Sequence, residues 1–357
     1  MQRIYVLGAG NVGSFFAHAL RGNGGRTGHR PVTLLFHRPE LLGTWKNSKQ
    51  ELVFSYPQHF ETSKGFDVEF VESPGNVDQT EISHLIVATK ATQTVEAVSS
   101  IARRLTSVST IVFVQNGIGV IPKLNSALFP DPSRRPCYLA AVHTHGIKPQ
   151  PNKPFHYLYA GSGSVTIGPT SASDELDSRS GLERYVLDSI VQATALHAKE
   201  VDASTLLSVQ LEKLLVNSII NPLTALLNCN NGEIADGIAD GSYRTFIEFL
   251  LEEALEVLPE LTQRTSKSDL GFEKERLMKL VELVARNTAS NICSMLQDVR
   301  AGRETEIDYI NGWLVERGRE TGKEMRNHKL LVKCVKEGRS LGLGQPRGSN
   351  ARERTGD

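Results

Sequence analysis

The amino-terminal segment RIYVLGAGNVGSFFAHAL, residues 3–20, constrains the fold more strongly than any other part of the sequence. A short apolar run, a glycine-rich turn and apolar residues at helical spacing predict a strand followed by a helix. The turn has the pattern G-x-G-x-x-G, whose glycines permit a tight turn, close approach of the backbone to a pyrophosphate and close packing of helix on strand. We therefore predict a dinucleotide site here; a turn that binds no ligand is the alternative. The residues assigned to the site are Gly8, Ala9, Gly10, Asn11, Val12 and Gly13.

The end of the second predicted strand, Pro31 to about Phe36, indicates which dinucleotide is bound. NAD-specific sites usually place an acidic residue there, which binds the ribose 2′-hydroxyl. In this chain His37 and Arg38 follow the strand, and a guanidinium suits a 2′-phosphate by its charge and its bidentate geometry. The sequence therefore favours NADP (NADPH) over NAD. The alternative is that Arg38 is an exposed loop cation and that Glu40 takes the place of the acidic residue.

Strand and helix patterns continue to alternate through the first half of the chain. HLIVATKATQTVEAV and STIVFVQNGIGVIPKL each predict a strand that leads into a helix, with Lys90 and Asn116 where the strands end. Ligands of open α/β sheets bind beyond the carboxyl ends of the strands, so both residues are candidate ligand contacts. CYLAAVHTHGI predicts a further strand, and FHYLYAGSGSVTIGP predicts a hairpin with a Gly/Ser turn. We expect structural roles for His143 and His145.

The second half of the chain has helical patterns only. LEKLLVNSIINPLTALLNCNNGEI, residues 211–234, predicts a long apolar helix interrupted by Lys213, Asn217 and Asn221. Spacing of four residues places these polar groups on one narrow face of a helix. Pro222 lacks an amide hydrogen, which predicts a kink. The polar face indicates either the wall of a substrate cleft or a polar seam between packed helices.

Length and pattern predict the domain organisation. A chain of 357 residues is long for a single hydrophobic core, so we predict two domains. Residues 1–202 form the predicted dinucleotide-binding domain, and residues 203–338 form the predicted helical domain. Residues 339–357 contain few apolar residues, several glycines and mixed charges, so we predict a disordered tail.

Charge and cysteine content argue against several classes of function. The 40 Lys and Arg residues balance the 40 Asp and Glu residues, which gives no support for a nucleic-acid or anionic-membrane partner. No apolar run approaches the roughly 20 residues that span a bilayer, and the first strand begins near Arg3, which leaves no room for a signal or transit peptide. The four cysteines lack metal-type and disulfide-type spacing. We therefore expect a cytoplasmic protein with reduced thiols and no metal site.

Four motifs together resemble the ketopantoate reductase (2-dehydropantoate 2-reductase) family in a lengthened, fungal-type form. They are GAGNVG, the pair VATKA and VQNGIG, EKLLVNSIINPLTALLN, and CSMLQDVRAGRETEID. The last two, in this order and about seventy residues apart, are more specific than the glycine motif. The resemblance covers roughly residues 3–335. It implies a Rossmann-type, doubly wound α/β domain, an all-helical domain related to that of 6-phosphogluconate dehydrogenase, and an active site in the cleft between them.

The resemblance also implies roles for individual residues. Lys213 matches the proton donor of the family, and Glu306 matches a glutamate beside cofactor and substrate. Lys90 matches a cofactor contact, and Asn116 matches a contact of both cofactor and substrate. The further residues implied to bind substrate are Asn217, Asn221, Asn231, Asn291 and Ser294.

The residue types in these positions suit the reduction of a 2-oxo acid. Hydride must reach the carbonyl carbon, and the developing alkoxide needs a proton, which the ammonium of Lys213 can stabilise and supply. Carboxamides one turn away can orient a carboxylate or a hydroxyl. Glu306 could keep the lysine charged, since burial alone lowers the pKa of a lysine.

The implied function is NADPH-dependent reduction of 2-dehydropantoate to pantoate, a step of pantothenate biosynthesis. Leu211 replaces a tryptophan often found there, and Cys293 replaces the first serine of the S-S-M motif; both departures leave the substrate open. One alternative is a reductase of another 2-oxo acid. A second is a non-catalytic NADP-binding sensor or scaffold, although such a protein needs the glycines and not the lysine and glutamate. A homodimer is one assembly that the sequence leaves open.

Overall fold

The computed structural model divides into two compact units, Met1–Gln210 and Leu211–Asp357, and the division falls inside a helix that begins at Ala203. The predicted tail, residues 339–357, lies outside the described residues. The residues that the structure describes are 2–22, 30–71, 80–171, 181–261 and 271–338.

The described part of the first unit alternates strands with helices, as predicted. The strands are β1 (Ile4–Leu7), β2 (Val32–Phe36), β3 (Glu51–Ser55), β4 (Phe60–Lys64), β5 (Asp67–Phe70), β6 (His84–Val87), β7 (Thr110–Phe113), β8 (Cys137–His143), β9 (Gly146–Pro149), β10 (His156–Gly161), β11 (Val165–Pro169) and β12 (Ala198–Glu200). The helices are α1 (Asn11–Gly22), α2 (Pro39–Lys46), α3 (Thr94–Ser99), α4 (Val120–Leu128) and α5 (Gly181–Val191).

Eight strands form one sheet in the order β12-β11-β8-β7-β6-β1-β2-β5. Neighbouring strands run parallel, except that β8 and β11 are antiparallel. The apolar strands β1, β2, β6 and β7 are buried on both faces, as parallel strands in α/β domains are. Because β2 and β6 flank β1 on opposite sides, the strand order reverses at β1. This reversal is the point at which open α/β sheets bind ligands, and it confirms the predicted Rossmann-type sheet.

The predicted hairpin of β10 and β11 is wrong. β10 pairs with β9 and β3 in a separate four-stranded sheet of order β4-β3-β10-β9, whereas β11 pairs with β8 in the large sheet. The reason lies in burial: every residue of β11 is buried, while β10 keeps exposed side chains. Only a short Gly/Ser segment separates β10 from β11 in the sequence. The burial of each strand nevertheless determines which sheet it joins.

The second unit is all-helical in its described residues, as predicted. Its helices, including the one that crosses the division, are α6 (Ala203–Leu227), α7 (Asn231–Ala239), α8 (Arg244–Leu261), α9 (Lys274–Asn287), α10 (Ser294–Arg300), α11 (Asn311–Glu320) and α12 (Arg326–Glu337). Helix α6 continues through Pro222. Of the helices in the described ranges, none is long and apolar enough to cross a membrane.

Candidate active site

The glycine turn between β1 and α1 is as tightly packed as its glycine motif predicts. Gly8 has a φ of +105°, and a Cβ atom there would lie 2.8 Å from the backbone carbon of Ala88. A Cβ at Gly13 would lie 1.9 Å from the carbonyl oxygen of Gly8. Gly10 differs, because a Cβ there would meet nothing within 4 Å and the residue is exposed. Two glycines thus permit close packing within the protein, and Gly10 leaves open space above the backbone at the start of α1, where a pyrophosphate would bind.

The predicted cofactor residues of the first unit follow the ends of strands at one edge of the sheet. Leu7 pairs with Leu35 of β2 and with Val87 of β6, and Val87 pairs with Phe113 of β7. The segments that follow these strands carry Gly8, Arg38, Lys90 and Asn116. The structure therefore brings these four residues to the carboxyl edge of the parallel sheet, on both sides of the switch point. Their roles as cofactor contacts stay predictions.

The segment after β2 presents a cation to solvent. Arg38 is exposed at the residue that precedes α2, while His37 is partly buried. Burial and the neighbouring guanidinium of Arg38 lower the pKa of His37, so the permanent positive charge of this pair belongs to Arg38. Glu40 is also exposed, in the first turn of α2. Mutation of Arg38 and of Glu40 therefore distinguishes a 2′-phosphate contact of Arg38 from a ribose contact of Glu40.

Lys213 and Glu306 interact electrostatically within the helical unit. Lys213 is partly buried on α6, and Glu306 is partly buried in the turn that precedes residues Ile307–Tyr309. Burial lowers the pKa of Lys213 from 10.5 to about 8, and the negative charge of Glu306 opposes this shift. The lysine is consequently protonated at neutral pH, yet its pKa is close to the operating range in which a general acid transfers its proton efficiently.

Two carboxamides, those of Asn217 and Asn221, follow Lys213 on the same helix. Asn217 is partly buried and lies four residues after Lys213, and Asn221 is buried and lies four residues after Asn217. Within the described ranges, no hydrogen bond joins the side chain of either asparagine to another group. In the described residues, these two asparagines therefore do not satisfy one another through side-chain hydrogen bonds.

Cys293 connects this helix to the predicted substrate residue Ser294. Its thiol lies 2.9 Å from the hydroxyl of Thr224 and 3.6 Å from the carbonyl oxygen of Asn221. The same sulfur accepts a hydrogen bond from the amide of Leu296 and so caps α10, whose first residue is the exposed Ser294. Burial raises the pKa of the Cys293 thiol. The departure from the serine of the family motif thus retains a capping group and a contact with α6.

Asn231 is held with one polar atom unsatisfied. It is the first residue of α7, and its amide donates to the carbonyl of Asn291 at 3.1 Å. Its Nδ2 donates to Thr288 Oγ1 at 2.9 Å, whereas its buried Oδ1 has no hydrogen-bond partner in the described residues. The sequence does not predict this contact of Thr288, because a threonine in a helical stretch carries no signal of such a partner. A buried acceptor without a partner costs about 1–3 kcal/mol.

Other polar residues have structural partners. His145 bonds through both ring nitrogens, to the hydroxyl of Tyr159 at 2.8 Å and to the carbonyl of Leu196 at 3.0 Å, in agreement with the expected structural role. All four cysteines are buried thiols. In the described part of the chain, no cluster of three or more His, Cys, Asp and Glu residues could hold a metal ion.

Comparison with known proteins finds family models and relatives that match most of this sequence. The protein-family model described as "Ketopantoate reductase PanE/ApbA" matches residues 4–172. The family model for the C-terminal part of the same proteins matches residues 205–339. The probable 2-dehydropantoate 2-reductase of Schizosaccharomyces pombe is 28% identical, over 96% of this chain and 98% of its own length. The 2-dehydropantoate 2-reductase of Salmonella typhi is 34% identical, over 74% of this chain and 78% of its own.

Two further similarities concern other substrates. The ketoisovalerate reductase of Beauveria bassiana is 27% identical, over 94% of this chain and 83% of its own. A solved structure of D-mandelate dehydrogenase with NADH and anilino(oxo)acetate has a TM-score of 0.74 at 20% identity, with 94% of this chain and 97% of the other covered. The structural similarity shows the fold alone, at this level of identity.

Proposed function

Because this chain belongs to the ketopantoate reductase family, we propose that it reduces 2-dehydropantoate to pantoate with NADPH and that Lys213 is the proton donor. It is an oxidoreductase that acts on a CH–OH group. The cofactor class of the family is a nicotinamide dinucleotide. Use of NADPH, a cytoplasmic location and a place in pantothenate biosynthesis are parts of the proposal.

The position of Lys213 on the polar face of α6, four residues before Asn217 and within electrostatic reach of Glu306, carries this proposal. Bound NADPH would supply the hydride that reaches the carbonyl carbon of the oxo acid. The ammonium of Lys213 stabilises the negative charge that develops on the carbonyl oxygen and then transfers its proton to that oxygen. Glu306 keeps the lysine protonated until this step. Asn217 and Asn221, one and two turns further along α6, orient the substrate through fixed hydrogen-bond donors and acceptors.

Asn231 supports 2-dehydropantoate as the substrate. Its buried Oδ1 needs a donor, and 2-dehydropantoate carries a hydroxyl group that ketoisovalerate lacks. A site built to bind a substrate hydroxyl discriminates strongly against an analogue without it, because the buried polar group is then unpaired. The ketoisovalerate reductase among the relatives makes that oxo acid the second candidate substrate.

Substrate preference tests this assignment. We expect the wild-type protein to have a higher kcat/KM for 2-dehydropantoate than for ketoisovalerate. Replacing Asn231 with alanine should lower the ratio of the two values by roughly 10–100-fold, in line with the 1–3 kcal/mol of a buried hydrogen-bonding group. The Asn287→Ala variant is the matched control, because Asn287 is exposed at the end of α9 and its side chain makes no hydrogen bond within the described residues. A wild-type preference for ketoisovalerate, or a ratio that Asn231→Ala leaves unchanged, would contradict the assignment.

Cofactor preference tests the role of Arg38. Replacing Arg38 with alanine should weaken NADPH binding by roughly 10–100-fold, because a charge-assisted contact with the 2′-phosphate is worth about 1.5–3 kcal/mol, and should leave NADH binding nearly unchanged. Glu40→Ala is the matched control on the same turn. Fluorescence titration with both cofactors measures the effect. Equal losses for NADPH and NADH in Arg38→Ala, or a selective loss of NADH affinity in Glu40→Ala, would show that Arg38 does not read the 2′-phosphate.

The same titration, followed by turnover with a panel of 2-oxo acids, separates the proposed enzyme from a non-catalytic NADP-binding protein. An enzyme binds NADPH and oxidises it with one oxo acid of the panel. A sensor or scaffold binds NADPH and turns over none of them.

A further inference from the structure

Pro222 leaves one carbonyl of α6 without its helical partner. In a helix, the amide of residue 222 would donate to the carbonyl of residue 218, but proline has no amide hydrogen. Ser218 lies between Asn217 and Asn221 in the sequence of the helix. The Nδ2 group of Asn311 supplies the missing hydrogen bond, at 2.8 Å from the carbonyl oxygen of Ser218. The side chain of a residue 93 positions later in the sequence thus replaces the absent amide.

Asn311 is itself held in one orientation. It is completely buried, and its Nδ2 also lies 3.0 Å from Nδ1 of the buried His328. Because a carboxamide nitrogen only donates, Nδ1 of His328 accepts, and its proton is on Nε2, which donates to the carbonyl of Leu250 at 2.9 Å. Glu253 accepts hydrogen bonds from the backbone amides at the start of α12, including that of His328 at 3.1 Å. A continuous set of hydrogen bonds therefore runs from α8 through α12 and α11 to α6.

The side chain of Asn311 is poorly explained by stability alone. Its buried Oδ1 has no hydrogen-bond partner in the described part of the chain, and a buried acceptor in this state is unfavourable. An apolar residue would avoid that cost but would leave the Ser218 carbonyl unpaired. With asparagine at this position, Oδ1 of Asn311 is unsatisfied, but the carbonyl oxygen of Ser218, on the helix that carries the polar face, has a hydrogen-bond donor.

We propose that Asn311 is a positioning residue for reduction of the oxo acid: it replaces the amide that Pro222 lacks and holds the turn of α6 that presents Asn217 and Asn221 to the substrate. The inference rests on the proposed function. It assigns no contact with substrate to Asn311, which acts through the backbone of the catalytic helix.

A double-mutant cycle of Asn311 and Pro222 tests the proposal. We expect Asn311→Leu to lower kcat/KM for 2-dehydropantoate about tenfold, a typical effect of misplacing substrate-binding groups, with NADPH affinity unchanged. Pro222→Ala restores an amide that can donate to Ser218. The loss caused by Asn311→Leu should therefore be severalfold smaller in the Pro222→Ala background. Ser218→Ala is the matched control, because it removes only the hydroxyl that bonds to Leu215.

The outcomes distinguish this inference from the proposed function. If the wild-type protein reduces 2-dehydropantoate and Asn311→Leu is folded with unchanged kcat/KM, the positioning role is wrong. Equal losses in the wild-type and Pro222→Ala backgrounds would also overturn it, since Asn311 would then not act through the Ser218 carbonyl. If Asn311→Leu does not fold, Asn311→Ser is measured in the same cycle with the same criteria. A wild-type protein that turns over no 2-oxo acid would overturn the proposed function and this role together.

Discussion

Replacing Lys213 with alanine is expected to lower turnover of the 2-oxo acid by roughly 10²–10⁴-fold, the usual contribution of a positioned proton donor. This loss corresponds to about 3–5 kcal/mol of transition-state stabilisation. NADPH affinity should stay close to that of the wild type, because all the predicted cofactor contacts except Glu306 belong to the first unit. Turnover, NADPH titration and thermal unfolding of the same samples measure the three quantities.

Lys213→Arg is the control that retains the charge. Arginine holds its proton too tightly to act as a general acid, and its reach differs from that of lysine, so little turnover should return. A folded Lys213→Ala variant that binds NADPH and retains near-normal turnover would show that Lys213 is not the acid. An unfolded variant would instead support a structural role.

The pKa of about 8 makes the role of Lys213 visible in pH profiles. A general acid must be protonated, so kcat/KM, which reports the pKa of the free enzyme, should fall as the pH rises above about 8. Stability changes in the opposite sense. The pKa of Lys213 in the folded state lies below the ordinary 10.5. Burial of the charged lysine therefore lowers the free energy of unfolding by its full amount below pH 8, and this loss disappears as the pH approaches 10.5. Between pH 8 and pH 10.5 the free energy of unfolding of the wild type should therefore rise relative to that of Lys213→Ala.

Adding one methyl group to the glycine turn is expected to have different results at two positions. Gly13→Ala should destabilise the first unit by about 3 kcal/mol, at the upper end of overpacking costs, because its Cβ would lie 1.9 Å from a backbone oxygen. Gly10→Ala should unfold at the wild-type temperature, because its Cβ meets nothing within 4 Å. It should nevertheless bind NADPH much more weakly, because the methyl group occupies the space that the pyrophosphate needs.

Thermal unfolding and NADPH titration of both variants separate packing from ligand binding. Gly43→Ala is the matched control, because a Cβ there also has no neighbour within 4 Å and Gly43 lies on α2, outside the glycine turn. It should leave NADPH affinity unchanged and should raise the free energy of unfolding by about 0.5–1 kcal/mol, because glycine inside a helix is less favourable than alanine. Normal NADPH affinity in Gly10→Ala would contradict the assignment of the turn to the cofactor, and a fully stable Gly13→Ala would contradict the packing.

The sequence by itself determined the kinds of elements and the edge at which the cofactor residues meet. Apolar runs bounded by glycine predict strands, and apolar spacing of three and four predicts helices, because both patterns are local. The meeting of Gly8, Lys90 and Asn116 at one edge follows from a general property, since the carboxyl ends of parallel strands lie on the same side of a sheet. The polar face of α6 was predictable for the same reason, because the helical repeat alone aligns Lys213, Asn217 and Asn221.

Only the tertiary structure decided how distant segments are combined. β10 and β11 are adjacent in sequence but join different sheets, because pairing depends on which faces are buried. The pKa of Lys213 depends on burial and on Glu306, which lies far along the chain. Pro222 predicts that a carbonyl loses its partner, but no local pattern identifies Asn311 as the group that replaces it. Such contacts arise from the packing of helices, which the periodicity of a single segment does not contain.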